Sequence, residues 1–222
     1  MPRIARVVIP GIAHHITQRG NYQQVVFHSD TDREQYLLWI KQYSDKYNLK
    51  FWAYCLMDNH VHFIVVPEYE YSMAKTFNQA HMRYSQYINW RMGKRGHLWQ
   101  GRFYSCPLDD AHLYAAVRYV ENNPVRAGLV QRPEDYHWSS ALSHIEGVKD
   151  TILSNDLPLL RDIVDWREYL RTPDDNVVIE RLRKCTSTGR PAGSKSFVKS
   201  IENRLGRHLS PQPTGRPRKR KE

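Results

Sequence analysis

The chain has little sulfur and no segment suited to a bilayer. Its three cysteines in 222 residues, Cys55, Cys106 and Cys185, are widely spaced and odd in number. Neither a zinc pattern nor a disulfide framework is expected, and a reducing cytoplasm fits best. No apolar run approaches the ~20 residues needed to span a membrane. The opening Met1-Pro2-Arg3-Ile4-Ala5-Arg6 lacks the apolar stretch and small-residue cleavage site of a signal peptide. No internal repeat of solenoid length is present. These absences point away from membrane, secreted and repeat classes, and a cytoplasmic globular protein is expected, nucleoid-associated if its partner is DNA.

With 41% hydrophobic residues the chain can bury a core, and its length allows one ordinary domain plus something smaller. The net charge of +10 is concentrated at one end: residues 181–222 carry thirteen Lys/Arg against two Asp/Glu, leaving residues 1–180 near neutral. A neutral body with a cationic appendage fits a polyanion partner: the tail supplies long-range attraction and the body supplies shape or chemistry.

Hydrophobic periodicity gives the order of elements. A strand over 7–18 is broken at Pro10-Gly11, and a helix follows from about 31 to 47, opened by the capping-box pattern Thr31-Asp32-Arg33-Glu34. Strands over 49–57 and 60–66 are joined through Asp58-Asn59. A helix from Ser72 stops at Gly93, and an aromatic strand is expected within 96–104. A third helix runs from Ala111 to Asn122, capped by Asp109 or Asp110, with Leu113, Ala116, Val117 and Val120 inward and Asn123-Pro124 ending it. This order predicts an α+β, ferredoxin-like antiparallel sheet with helices on one face, the third helix being an addition that can lie against the sheet. The expected divisions are a domain over 1–142, an irregular or helical extension over 143–180 with a helix near Trp166 to Leu170, and a basic tail over 181–222. That tail holds a small helix marked by Phe197, Val198, Ile201 and Leu205.

The chemistry centres on His60-Val61-His62. Alternation along a strand puts the two imidazoles on one face, half of a metal site. On the third helix Tyr119 and Asn123, four residues apart, share a flank outside the inward stripe. If that flank faces the histidines, Asn123 completes a His, His, amide set. Nitrogen and oxygen donors without thiolate favour Mg2+ or Mn2+ in a phosphate-handling site, with zinc also compatible. A phenol beside such a cation can attack a phosphodiester and keep the bond energy in a phosphotyrosine. Tyr114 is the fallback nucleophile, without an amide one turn later.

His60-Val61-His62, Trp99-Gln100-Gly101-Arg102-Phe103 and Tyr119-Val120-Glu121-Asn122-Asn123-Pro124-Val125 together resemble the HUH single-strand transposases, most of all the REP-associated tyrosine transposases of bacteria. The resemblance covers about residues 5–142, closing at Trp138-Ser139-Ser140. It implies Tyr119 as the nucleophile and His60, His62 and Asn123 as ligands of Mg2+ or Mn2+. Relatives in insertion sequences often have Gln where this chain has Asn123, which keeps an amide oxygen. The implied substrate is a single-stranded DNA hairpin of a repetitive palindrome, cut by a monomer or homodimer. Candidate DNA contacts are Arg19, Asn21, Arg83, Lys94, Arg95 and Arg102. Thr188-Gly189-Arg190-Pro191 and Thr214-Gly215-Arg216-Pro217 resemble AT-hook cores, nominating Arg190 and Arg216 for a minor groove, with Arg218 following. Two alternatives share parts of this pattern: a non-cleaving DNA-binding repressor or structural protein, which would not need a nucleophile beside two metal ligands, and a replication initiator or relaxase, for which the domain is short and a helicase segment missing.

Overall fold

Asp58-Asn59 reverses the chain between two of the most apolar segments, and the resulting hairpin is the centre of the fold. In a computed structural model, which describes residues 5–209, the elements run β1 (His14–Arg19), α1 (Asp30–Tyr47), β2 (Leu49–Met57), β3 (His60–Pro67), α2 (Ser72–Arg91), β4 (Tyr104–Pro107) and α3 (Asp110–Glu121), then α4 (Asn123–Arg126), α5 (Ala141–Glu146), α6 (Leu159–Asp162), α7 (Trp166–Arg171), α8 (Asn176–Thr188) and α9 (Lys195–Leu205). The four strands form one antiparallel sheet in the order β2-β3-β1-β4. This is the α+β, ferredoxin-like architecture expected.

Alternation along each strand sorts side chains to two faces. Ile16, Phe63 and Val65 pack against Tyr36 and Ile40 of α1 and Phe77 and Tyr84 of α2, all within one buried cluster. On the other face Cys55, Ile64 and Cys106 meet Val117 and Val120 of α3, Trp166 of α7 and Leu182 of α8. Thus α1 and α2 share one face, and the added α3 lies against the opposite one. Three expectations shift. Helix α1 is capped by Ser29, whose Oγ accepts from the Asp32 amide at 3.3 Å, so it begins before Thr31. The first strand shortens to β1, because Val7 and Ile9 leave the sheet to pack on Ile201 and Leu209. The last strand moves from 96–104 to β4: Leu98, Trp99 and Phe103 plug the α1/α2 core instead, and positive φ at Gly96 (106°) and Gly101 (146°) interrupts any extended run.

Asp109 caps α3, its carboxylate accepting from the His112 amide at 3.0 Å. At the other end the buried Glu121 carboxylate accepts from Ser140 Oγ at 2.5 Å, Trp166 Nε1 at 2.8 Å and His144 Nδ1 at 2.6 Å. These bonds tie α3 to α5 and α7 and fix its rotation on the sheet. Helix α8 spans the expected division at 180/181 and buries Ile179, Leu182 and Thr186. The chain then returns along β4, with the Ala192 amide donating to Pro107 O at 2.8 Å.

Candidate active site

The register of the sheet assembles the site. In β1–β3 pairing Thr17 lies opposite His62 and Arg19 opposite His60. Opposed residues share a face, so His15, Thr17, Arg19, His60 and His62 all project toward α3. Tyr119 comes down from α3 edge-on to two of the rings, 5.7 Å from His62 and 6.0 Å from His15 between centroids. Tyr119 was expected beside the buried stripe. It is itself buried, 6% exposed, because α8 closes over it, yet it lines a cleft of about 790 Å³ together with His60, His62 and Asn123. Arg126 stacks over its ring at 4.1 Å, and Arg183 Nε donates to its hydroxyl at 3.3 Å. Arg19 completes three arginines in a lining that contains no Asp or Glu, an electrostatic setting for phosphate.

The histidines are held without protons to spare. Burial lowers His60 to about 4, with the Arg19 charge adding to it. Burial also lowers His15 to about 3, and it holds His62 well below the usual histidine value, helped by the adjacent His15 and His60. Asn59 sets the His60 tautomer. Its amide nitrogen donates to Gln23 O at 3.2 Å, so its oxygen is the atom that accepts from His60 Nδ1–H at 2.6 Å. The lone pair of His60 is therefore on Nε2.

Asn123 does not continue α3. The helix breaks at Asn122 and Asn123 opens α4, where Pro124 is tolerated because the first turn needs no donor from it. The Asn123 side-chain nitrogen is buried without a hydrogen-bond partner; turning the amide over would put its oxygen in that place, as a donor to a cation. Among the described residues no group of three His, Cys, Asp or Glu side chains gathers as a metal site. The donor set is two imidazoles and an amide. It fits a divalent cation that keeps open positions for phosphate oxygen and water.

The remaining candidates are spread more widely. Arg19 is in the cleft. Asn21 sits in the turn after β1, its amide bonded to Leu98 O at 2.8 Å. Exposed Lys94 and Arg95 line a second cleft of about 230 Å³ with Gln24 and His97. Arg83 is exposed on α2, and Arg102 lies at a small pocket that adjoins the cleft through Tyr104 and Thr186. Arg190 is engaged within the fold, donating from Nε to Leu209 O at 2.9 Å. Arg216 and Arg218 lie outside the described residues. Tyr114 is away from the cleft, its hydroxyl bonded to Asp162. Sequence reasoning missed His15, Arg126, Arg183 and Thr186. Only His15 carried a signal, a polar residue on a strand otherwise fit for burial.

An antiparallel sheet that carries paired histidines, a buried phenol and arginines in one cleft defines a phosphate-handling α+β protein. The family model described as "Transposase IS200 like" matches residues 9–123, more than half of the chain, and the chain belongs to that family. Its class is accordingly a transposase acting on single-stranded DNA. No curated protein matches it. Among solved structures, the REP-associated tyrosine transposase bound to a REP hairpin shares the fold, with a TM-score of 0.58 and 18% identity over 70% of this chain and 93% of that one. A candidate transposase from Deinococcus radiodurans aligns at a TM-score of only 0.38 and 16% identity, over 55% of this chain and 97% of that one. No helix among the described residues is long and apolar enough to cross a membrane.

Proposed function

We propose that the protein is a REP-type single-strand DNA endonuclease and strand transferase, in which Tyr119 forms a covalent 5′-phosphotyrosine beside a palindromic hairpin. The observation that carries this is the meeting of Tyr119 with His62, Asn123 and the arginines in one cleft without carboxylates. In the reaction the Tyr119 oxygen attacks phosphorus, the 3′-oxygen of the upstream piece leaves with the phenol proton as a free 3′-OH, and the downstream piece stays on the enzyme through its 5′-phosphate. Arg126 and Arg183, both against the Tyr119 ring, stabilise the phenolate and then the phosphate esterified to it. His60, His62 and Asn123 would hold Mg2+ or Mn2+, which when bound polarises the scissile phosphate. The hairpin's single-stranded flank enters along Arg19, with Lys94 and Arg95 further out.

The test is incubation of the full chain with end-labelled single-stranded hairpin DNA and Mn2+, followed by denaturing electrophoresis. A protein-DNA adduct that is lost in Tyr119→Phe, while hairpin binding persists, is the expected result. Cleavage without an adduct would mean attack by water and would overturn the tyrosine mechanism; binding without cleavage would favour the non-cleaving alternative.

A further inference from the structure

From His62 a line of hydrogen bonds runs along the wall of the cleft into helix α8. His62 Nδ1 lies 2.9 Å from His15 Nε2, with the ring planes 6° apart. His15 Nδ1 lies 2.8 Å from Thr186 Oγ1, and Thr186 Oγ1 lies 2.8 Å from the Leu182 carbonyl oxygen. Cys106 Sγ is a further neighbour of Thr186 Oγ1 at 3.1 Å. His15 and Thr186 are each 2% exposed, so water does not intervene.

Proton counting gives this line a direction. A carbonyl oxygen only accepts, so the single hydrogen of Thr186 goes to Leu182 O. Thr186 Oγ1 then has two lone pairs, one for Cys106 S–H and one for His15 Nδ1–H. A neutral imidazole with its hydrogen on Nδ1 must accept at Nε2, so the hydrogen between the rings belongs to His62 Nδ1. His62 is left with its lone pair on Nε2. Running the line the other way would strip Leu182 O of this bond and put a hydrogen on His62 Nε2, where it would block a cation.

We infer that Thr186 and His15 are positioning residues that lock His62 in the tautomer able to bind a metal ion, so that α8 completes the nuclease centre. The inference rests on the proposed nuclease reading for its purpose, though its structural content stands apart from it. Asn59 performs the same task for His60 from within the turn. Each histidine ligand thus has its own orienting partner, one adjacent in sequence and one, His15, 47 residues away and itself held by Thr186. Such outer partners typically change metal affinity about 10–100-fold when removed.

The test reads tautomers directly, by long-range ¹H–¹⁵N correlation of histidine rings in the metal-free, DNA-free full chain. Nδ1–H is expected on both His15 and His62, against the Nε2–H form that free histidine prefers. Thr186→Val should shift His62 to Nε2–H and weaken Mn2+ binding, followed by the electron spin resonance of free Mn2+, about 10–100-fold. Thr186→Ser should restore both. Nε2–H on His62 in the wild-type chain overturns the inference, and that measurement needs no variant to fold. So does a folded Thr186→Val chain with unchanged tautomers and unchanged Mn2+ affinity, even if its cleavage is impaired. Absence of a DNA adduct in a chain with the expected tautomers would sink the nuclease reading and leave the relay upheld.

Discussion

Acid should unfold this protein through its histidines well before its carboxylates titrate. Burial lowers His14 and His60 to about 4 and His15 and His81 to about 3, and holds His62 well below its usual range. In the unfolded chain each returns to about 6.5. Between those values the unfolded state binds a proton that the folded state refuses. The stability is therefore fully present above the unfolded value and lost as pH falls through it toward the folded one. At pH 5.5 the loss is about 1.4 kcal/mol per histidine and on the order of 7 kcal/mol for the five together. That is comparable to the whole stability of a typical domain, roughly 5–15 kcal/mol. Urea unfolding followed by tryptophan fluorescence at pH 8, 7, 6 and 5.5 measures it as a falling midpoint at constant slope. A loss below about 1.4 kcal/mol between pH 8 and 5.5, less than a single histidine supplies, would refute the reasoning. His81, which pairs with the Tyr36 hydroxyl at 2.9 Å on the α1/α2 face, isolates one contribution. His81→Gln keeps a partner for that hydroxyl and should shrink the acid loss by about 1.4 kcal/mol without touching the cleft.

His60→Ala should abolish cleavage of hairpin DNA while leaving binding in a gel-shift assay largely intact; equal loss of both in a folded protein would remove the ligand role. Truncation after Leu209 removes five Lys/Arg from a segment outside the described residues and should reduce the slope of log affinity against log salt by up to about 0.7 per lost phosphate contact. An unchanged slope would mean that this run does not touch DNA. A cut at 181, attractive on charge alone, would confound that measurement because it also removes Leu182, Thr186 and Ile201 from the core. Leu182→Ala, at a position 1% exposed, should cost about 2–5 kcal/mol in urea unfolding, and a cost under about 1 kcal/mol would show that α8 is not part of the core.

The sheet and its two main helices were legible because their signals are local. The strands β2 and β3 are long apolar runs joined by a two-residue turn, and α1, α2 and α3 repeat apolar residues at helical spacing over three turns or more. The paired histidines were legible for the same reason, since alternation within one strand needs no knowledge of its neighbours. Where local and tertiary demands conflict, the sequence misleads. Leu98, Trp99 and Phe103 look like a strand and are a plug; Val7 and Ile9 look like a strand and are a latch on the C-terminal helix. Helix α8 is not legible because its buried residues, Ile179, Leu182 and Thr186, are separated by Arg and Lys that read as tail.

For the same reason only half of the centre can be drawn from sequence. The cleft side of the site is built from residues with chemical character: two imidazoles, a phenol, an amide. Its support is built from residues whose role exists only in three dimensions. Thr186 is one of several threonines and serines near the end of α8, and nothing local marks it; its hydroxyl acquires a function because Cys106 lies opposite His15 in the β1–β4 register and α8 packs across that pair. Arg183, one turn earlier on the same helix, reaches Tyr119. A single helix therefore touches both the nucleophile and the support of a metal ligand, three residues apart. Any displacement of α8 would unsettle the tyrosine and the histidine together, so the two halves of the reaction are mechanically coupled through a segment that its charge alone had assigned to DNA attraction.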